Sequence, residues 1–393
     1  MAAKKSKKRV VKSVSRPKPK KEDLVRIKVV GVGGGGGNAI SRMKESDSIR
    51  RVEFIAINTD SQDLDKIVAN KKIYIGKSLT KGLGTGMNPE IGRQAAEENR
   101  SEITEAIGDA DLVFITAGFG GGTGTGAAPV VAEIARESGA LTVAVVTKPF
   151  TFEGSHRMKI AQEGLGRLKD KVDTLVVVPN DRIFNLIDKQ TSIIKAFKAI
   201  DDVLKNAVQT ITELIVIPGM INVDFADIKA IMKDAGSAII GVGLSAGAQR
   251  SLKAVDSAIN SPLLDLSMEG AKGVLFCISG RDLKMVEVNE IARAIADTMD
   301  QGARVIFGAY QDFRLKAGQL KVTLIATGFN GLLTNQRHSL FASEQPLEKT
   351  VLKNQPKLNV EGKKKEEKQE KSSQQKKDSD FWDIPTFMRR KKQ

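Results

Sequence analysis

The chain of 393 residues has one cysteine, Cys277, and two histidines, His156 and His338. One thiol cannot close an internal disulfide or build a cysteine-based zinc site. Cysteine-bridged scaffolds and most zinc or histidine-based catalysis are therefore excluded, and the usage fits a reducing cytoplasm. No run approaches the roughly 18 to 20 apolar residues that a membrane-spanning helix needs. The opening MAAKKSKKRVVKSVSRPKPKK has a charged start with no apolar stretch behind it, so neither secretion nor membrane insertion is expected. Absent too is any GxxxxGKS or GxxxxGKT, which excludes a conventional P-loop and its phosphate lysine.

What is abundant is positive charge, +15 overall, but it is unevenly placed. Residues 1–24 hold 10 basic and 2 acidic side chains, residues 335–393 hold 15 and 9, and the body between them is left with +1. A near-neutral body with basic ends points to tethering by the tails, because counterion release needs clustered Lys and Arg. The tails are expected either to contact acidic lipid, nucleic acid or protein, or to serve as solubilising disorder.

From Ile27 onward short β-branched runs alternate with longer amphipathic ones: IKVVGVG, VEFIAIN, DLVFITAG, LTVAVVT and TLVVVPN. Apolar on both parities, they read as strands buried on both faces, as in a parallel sheet covered by helices. A long helix is expected over roughly Ser192 to Ile215, with Phe197, Ile200, Leu204, Val208, Ile211 and Leu214 at helical spacing. Beyond Pro218 and Gly219 come strand candidates AIIGVG, GVLFCIS, ARVIFGA and KVTLIATG, with helices near 248–259 and 286–299, spaced for α+β or mixed pairing. The expected layout is a disordered basic extension (1–24), a Rossmann-like parallel-sheet α/β domain (25–191), a central helix (192–219), an α+β domain (220–332), a disordered linker (333–378) and a terminal peptide (379–393). That peptide sets the only tryptophan, Trp382, and two phenylalanines beside a basic cluster, the pattern of a short motif that folds onto a partner.

Chemistry concentrates in three glycine-rich loops. The first strand runs into GVGGGGGNAISRM, with GxGxxG spacing at Gly31, Gly33 and Gly36. Glycines let backbone amides approach a phosphate, and a helix expected to begin near Asn38 aims its positive end at that charge. Alone, this loop also fits an NAD-binding Rossmann oxidoreductase, with Asp60 of NTDSQ as the ribose acid, or a flexible turn. The second loop, Gly118 to Pro129, likewise joins a buried strand to a helix, APVVAEIARESG. Two such loops at one sheet edge give two anion-binding helix N-termini, which suits an oligophosphate. The third, KGLGTGMNPEIG, either closes over the phosphates or is a turn ahead of a helix beginning near Pro89.

At Gly120 to Gly126, GGGTGTG resembles the signature of the tubulin and FtsZ superfamily. The strings VGGGGGNA, NTDSQ, GLGTGMNPEIG, TKPFTFEGSHR, PNDRIF, DDVLKNAVQTITELI, PGMINVDFAD and terminal DIPTFMRR, in family order, narrow the resemblance to bacterial FtsZ. It covers about residues 26–330 and the tail. That family consists of GTPases that polymerise head to tail and build the cytoplasmic ring of cell division at midcell. The resemblance implies the tubulin/FtsZ fold and GTP/GDP as the bound nucleotides. Gly34, Gly35, Gly36, Gly37 and Asn38 would take the phosphates from one side, Gly122, Thr123 and Gly124 from the other, with Thr85 and Gly86 near the γ end. Glu153 would hold the ribose, Arg157 would lie near the phosphates, and Asn180 and Asp201 would recognise guanine. Mg²⁺, bridging β and γ oxygens, is implied by the shortage of fixed positive charge.

The resemblance also makes Asn222, Asp224 and Asp227 part of a loop that one subunit inserts into its neighbour's nucleotide site. Both carboxylates would position the attacking water, Asn222 would help place it or a cation, and hydrolysis would follow assembly. Asp383 to Arg390 resembles the segment that docks on membrane-anchoring division proteins such as FtsA. On the residues alone, Glu153 and Arg157 are a surface ion pair on one helical face, Asp201 belongs to a solvated face, and Asp224 caps a helix with Asp227 in its first turn. Thr85, Met87 and Met220 depart from the residues common in the family, and the Lys-rich extension is longer than expected. The rival readings are the NAD oxidoreductase and a basic-tailed nucleic-acid-binding scaffold.

Overall fold

The computed structural model describes residues 25–329 except 47, 48, 50, 186–189, 262–269 and 300–301. The basic extension, the linker and the terminal peptide with Trp382 lie outside the described residues. The strands are β1 Ile27–Val32, β2 Val52–Asn58, β3 Lys71–Tyr74, β4 Leu112–Gly118, β5 Leu141–Lys148, β6 Thr174–Pro179, β7 Gly236–Ala246, β8 Gly273–Gly280, β9 Arg304–Gln311 and β10 Gln319–Thr327. They form one sheet in the order β3-β2-β1-β4-β5-β6-β7-β10-β8-β9. Pairing is parallel from β3 through to β7, β10 is antiparallel to both β7 and β8, and β8 and β9 are parallel again.

The helices are α1 Gly33–Glu45, α2 Ser61–Lys66, α3 Lys77–Thr80, α4 Pro89–Glu98, α5 Arg100–Ile107, α6 Thr123–Glu137, α7 Ser155–Lys169, α8 Ile193–Val216, α9 Phe225–Met232, α10 Arg250–Ile259 and α11 Met285–Ala296. Two of them start earlier than the sequence suggests: α1 at Gly33 rather than near Asn38, and α6 at Thr123 rather than within APVVAEIARESG. Glycine is a poor helix former. Here the glycines sit in first turns, and burial of Ala39, Ile40 and Met43 in α1 and of Val130, Val131 and Ile134 in α6 holds the helices in place. The short edge strand β3 has no counterpart among the runs above, because only Ile73 of its KKIY is buried and four residues carry no periodicity.

The chain leaves β1 toward β2 and β3 on one side, then returns to place β4, β5 and β6 on the other. The boundary of β1 and β4 is thus a topological switch point, and a crevice opens outside the carboxyl ends of the strands there. Helix α8 crosses the molecule beside it. Its Leu204, Val208, Ile211 and Leu214 share one core with Val143 and Val176 of the parallel strands and with Leu275, Cys277, Tyr310 and Ile325 of the later ones. At its far end the buried Glu213 accepts hydrogen bonds from Gln209 at 2.7 Å, Arg314 at 2.5 Å and the Tyr310 hydroxyl. Among the described residues no helix is long and apolar enough to cross a membrane.

Candidate nucleotide site

Val32 and Ala117 are register partners on β1 and β4, so the first two glycine loops begin side by side. Gly33 adopts φ 71°, and a Cβ there would lie 2.9 Å from the Gly124 amide nitrogen. Only glycine permits this approach of the N-terminus of α1 to that of α6. The third loop folds onto the second: any Cβ on Gly122 would overlap the Thr85 hydroxyl. This loop then turns through left-handed Gly86 and Met87 into α4, where Asn88 Oδ1 accepts the Glu90 amide at 2.9 Å as N-cap.

The three loops bound a cleft of about 320 Å³. Ten of the residues expected at the site line it: Gly34, Gly35, Thr85, Gly122, Thr123, Gly124, Glu153, Arg157, Asn180 and Asp201. Gly36, Gly37, Asn38 and Gly86 lie outside that lining. Gly36 packs on the Thr116 carbonyl and Gly37 on Ile67, while Asn38 is exposed. Thr147 and Pro149 at the end of β5, and Phe197, Ile200 and Leu204 of α8, complete the walls. The last three share a helical face with Asp201, and that i, i+3, i+7 spacing is the signal that could have placed them at the site.

The polar groups of the cleft are few. Arg157 is its one cationic side chain among the described residues and pairs with Glu153 at 2.6 Å, while the other Glu153 oxygen accepts the Phe150 amide at 2.9 Å. Glu153 ends a 3₁₀ turn and Gly154 (φ 98°) separates it from α7, so the two do not share a helical face as their spacing suggested. Asp201 is ion-paired with Arg42 from the last turn of α1. Burial pushes the Asp201 carboxyl up to about 6, with Asp202 adding to the rise and Arg42 opposing it. Asn180 is buried and its Oδ1 has no hydrogen-bond partner among the described residues. A buried acceptor left open at a cleft wall is a place for a ligand's N–H or O–H. Asp60, the ribose acid of a dinucleotide site, instead accepts the Asp63 amide at 3.1 Å and caps α2.

Asn222, Asp224 and Asp227 are exposed and not part of this cleft. Asp224 occupies the N-cap position of α9 and Asp227 its first turn, yet the Asp224 carboxylate accepts no backbone N–H. Asn222 Oδ1 accepts the Gly219 amide at 2.6 Å, which holds the loop in a turn. Among the described residues no cluster of His, Cys, Asp or Glu could hold a metal ion by itself.

Residues 26–188 match the model of the Tubulin/FtsZ family GTPase domain, and residues 236–330 match that of the FtsZ family C-terminal domain. The empty FtsZ dimer of M. jannaschii is 49% identical, superposes with a TM-score of 0.75, and covers 79% of this chain and 90% of its own. A mutant FtsZ from M. jannaschii is 50% identical with TM-score 0.74, covering 78% and 92%. At 22% identity, CetZ2 of Haloferax volcanii, a GTPγS-bound protofilament, has the same fold with TM-score 0.65 over 77% of this chain and 92% of that one. With about half of the aligned residues identical across nine-tenths of a known FtsZ and both domain models matched, the chain belongs to the FtsZ family of tubulin-like GTPases.

Proposed function

We propose that this GTPase binds GTP in the cleft at the switch point and hydrolyses it when a second copy assembles head to tail onto it. The amides at the start of α1 and α6 face the phosphates, Thr85 lies near the γ end, Glu153 takes the ribose, and Asn180 and Asp201 read the guanine edge. A carboxylate accepts from guanine N1–H and the exocyclic amine, but faces a lone pair on adenine. Mg²⁺ fits the donor set only as a nucleotide-borne ion. Arg157 alone leaves phosphate charge uncompensated and the protein offers no acidic cage, so phosphate oxygens would hold it and it would offset their charge.

One observation carries the in-trans reading. Leu204 lines the cleft, but α8 runs on to Val216, a further rise of about 18 Å, before the loop of Asn222, Asp224 and Asp227 begins. Both carboxylates in the cleft, Glu153 and Asp201, are paired with arginines, and the exposed loop acids are not among the residues that line it. A second copy placing its loop on the cleft would supply Asp224 and Asp227 to position water and Asn222 to place it or a cation. Loss of the γ-phosphate would weaken that contact, so filaments would turn over. The resulting filaments would form the division ring at midcell in the cytoplasm. Asp383 to Arg390 would dock on membrane-anchoring partners such as FtsA.

The test is GTP turnover per molecule over a protein concentration series, with light scattering on the same samples. Turnover and scattering should appear together above a threshold concentration. Constant turnover per molecule at every dilution would mean a site complete within one chain.

A further inference from the structure

The ion pair between Arg42 and Asp201 joins two elements with different tasks. The first turn of α1 presents the amides of the phosphate loop, and its last turn carries Arg42. Helix α8 packs on α1 and carries Asp201 with three side chains of the cleft wall. Arg42 Nη1 donates to Asp201 Oδ2, and Oδ1 receives no hydrogen bond from the described residues. A carboxylate offers about four lone-pair sites. One arginine therefore fixes the group while leaving both oxygens able to accept from a ligand.

We propose that Arg42 is a positioning residue for guanine selection: it anchors the Asp201 carboxylate from behind, in its charged form, with its open lone pairs toward the base. This inference rests on the reading that Asp201 receives guanine. A buried carboxylate loses hydration and favours its neutral form unless a cation compensates. The charges acting on Asp201 are Arg42 from α1 and Asp202 beside it, and Lys205 pairs with Asp202 at 3.2 Å. Across the cleft Glu153 and Arg157 are paired with each other, and Asp181 is engaged by Thr151. Arg42 is thus the one cation in contact with this carboxylate among the described residues. Without it Asp201 protonates at higher pH. A protonated carboxyl donates as well as accepts, so it tolerates adenine N1 and loses one acceptor for guanine.

The experiment measures GDP, ADP and xanthosine diphosphate affinity calorimetrically from about pH 6 to pH 8.5, for the full-length wild type, Arg42→Gln, Arg42→Lys and Asp201→Asn. Removing the cation raises the carboxyl further, so Arg42→Gln should bind GDP within about twofold of wild type at the top of the range and about three- to tenfold more weakly at the bottom. Its GDP over ADP preference should shrink there as well, and Arg42→Lys should restore both. A loss of equal size at every pH, or no loss, would overturn the proposal, because a packing role has no reason to titrate. Asp201→Asn separates the two layers. If it leaves GDP preference intact and gains no xanthosine diphosphate binding, Asp201 does not read the base and the parent reading fails too. If it switches preference to xanthine while Arg42→Gln does nothing, only the role of Arg42 falls. Thermal melting of the nucleotide-free variants reports folding separately.

Discussion

Thr59 Oγ1 and Thr123 Oγ1 lie 2.7 Å apart and share a hydrogen bond, tying the end of β2 to the first residue of α6. Through it the NTDSQ segment, the second glycine loop and, by way of Gly122, the Thr85 loop are joined into one rim along the cleft. Threonine hydroxyls thus hold the glycine backbone of two loops in place, and on the proposed reading that backbone would stand in for a P-loop lysine.

Substitution at the contact between the second and third loops should therefore damage binding rather than chemistry. In Gly122→Ala the new methyl meets the Thr85 hydroxyl and the Asn88 carbonyl. Overpacking of this kind costs about 1 to 3 kcal/mol, which corresponds to roughly a 5- to 150-fold loss of GTP affinity if all of it falls on the bound state. Equilibrium binding of a fluorescent guanine nucleotide checks it, and an unchanged affinity would show that the Thr85 loop moves freely.

Much of this was legible in the residues. The runs VEFIAIN and LTVAVVT mark their strands because each is buried on both faces, and the two glycine clusters mark the cleft because each follows such a strand. Asp201 was legible only through family resemblance, since helical spacing alone makes it one more solvated acid. Its partner Arg42 was not visible at all, because their contact is made by packing of α1 on α8 across a long stretch of chain. The starts of α1 and α6 were hidden for the opposite reason: a local rule, the poor helix propensity of glycine, is overridden by burial.

Arg250 is a second ion-pair centre, remote from the cleft. Its guanidinium is buried, bonds Glu287 at 2.7 and 2.9 Å and Asp282 at 2.8 Å, and joins the start of α10 to that of α11. Arg250→Met would leave Glu287 without its partner and should cost about 2 to 3 kcal/mol at neutral pH, below the range for a fully buried pair because the cluster is partly solvated. Arg250 holds both carboxyls below their usual values. A depressed carboxyl contributes stability that is present above its unfolded value, about 4, and lost as pH falls through the lower folded value. Urea midpoints should thus differ between wild type and variant at about pH 7 and converge below about pH 4. A difference independent of pH would point to packing alone.

Cys277 on β8 is fully buried within the core shared with α8, and burial pushes its thiol well above the ordinary range. A thiol held neutral and away from solvent reacts only when the sheet opens. Modification by a thiol reagent at about pH 8 should be slower in the native protein than in urea by a factor on the order of 10³ or more, the scale of a folding equilibrium. Mass spectrometry of the intact chain reads this directly. Rapid modification without denaturant would mean that β8 separates from α8 in the native state.

The decisive prediction concerns whose aspartate completes the site. Asp227→Ala should bind GTP normally, since Asp227 is exposed and outside the cleft, and should lower turnover by about a hundredfold or more, the scale of a lost general base. Gly122→Ala should fail for the other reason, with an intact loop and a damaged pocket. If the loop works on a neighbour's nucleotide, mixing the two proteins at a GTP concentration that fills the Asp227→Ala site but not the weakened Gly122→Ala site restores turnover, because a GTP-loaded Asp227→Ala subunit meets the intact loop of a Gly122→Ala subunit. If each chain serves its own site, every site in the mixture has one defect and turnover stays at the level of the separate samples. Sedimentation of the mixture, with one variant labelled, establishes that the two copolymerise. Copolymers without recovered turnover would show that Asp227 does not act on a neighbour's nucleotide.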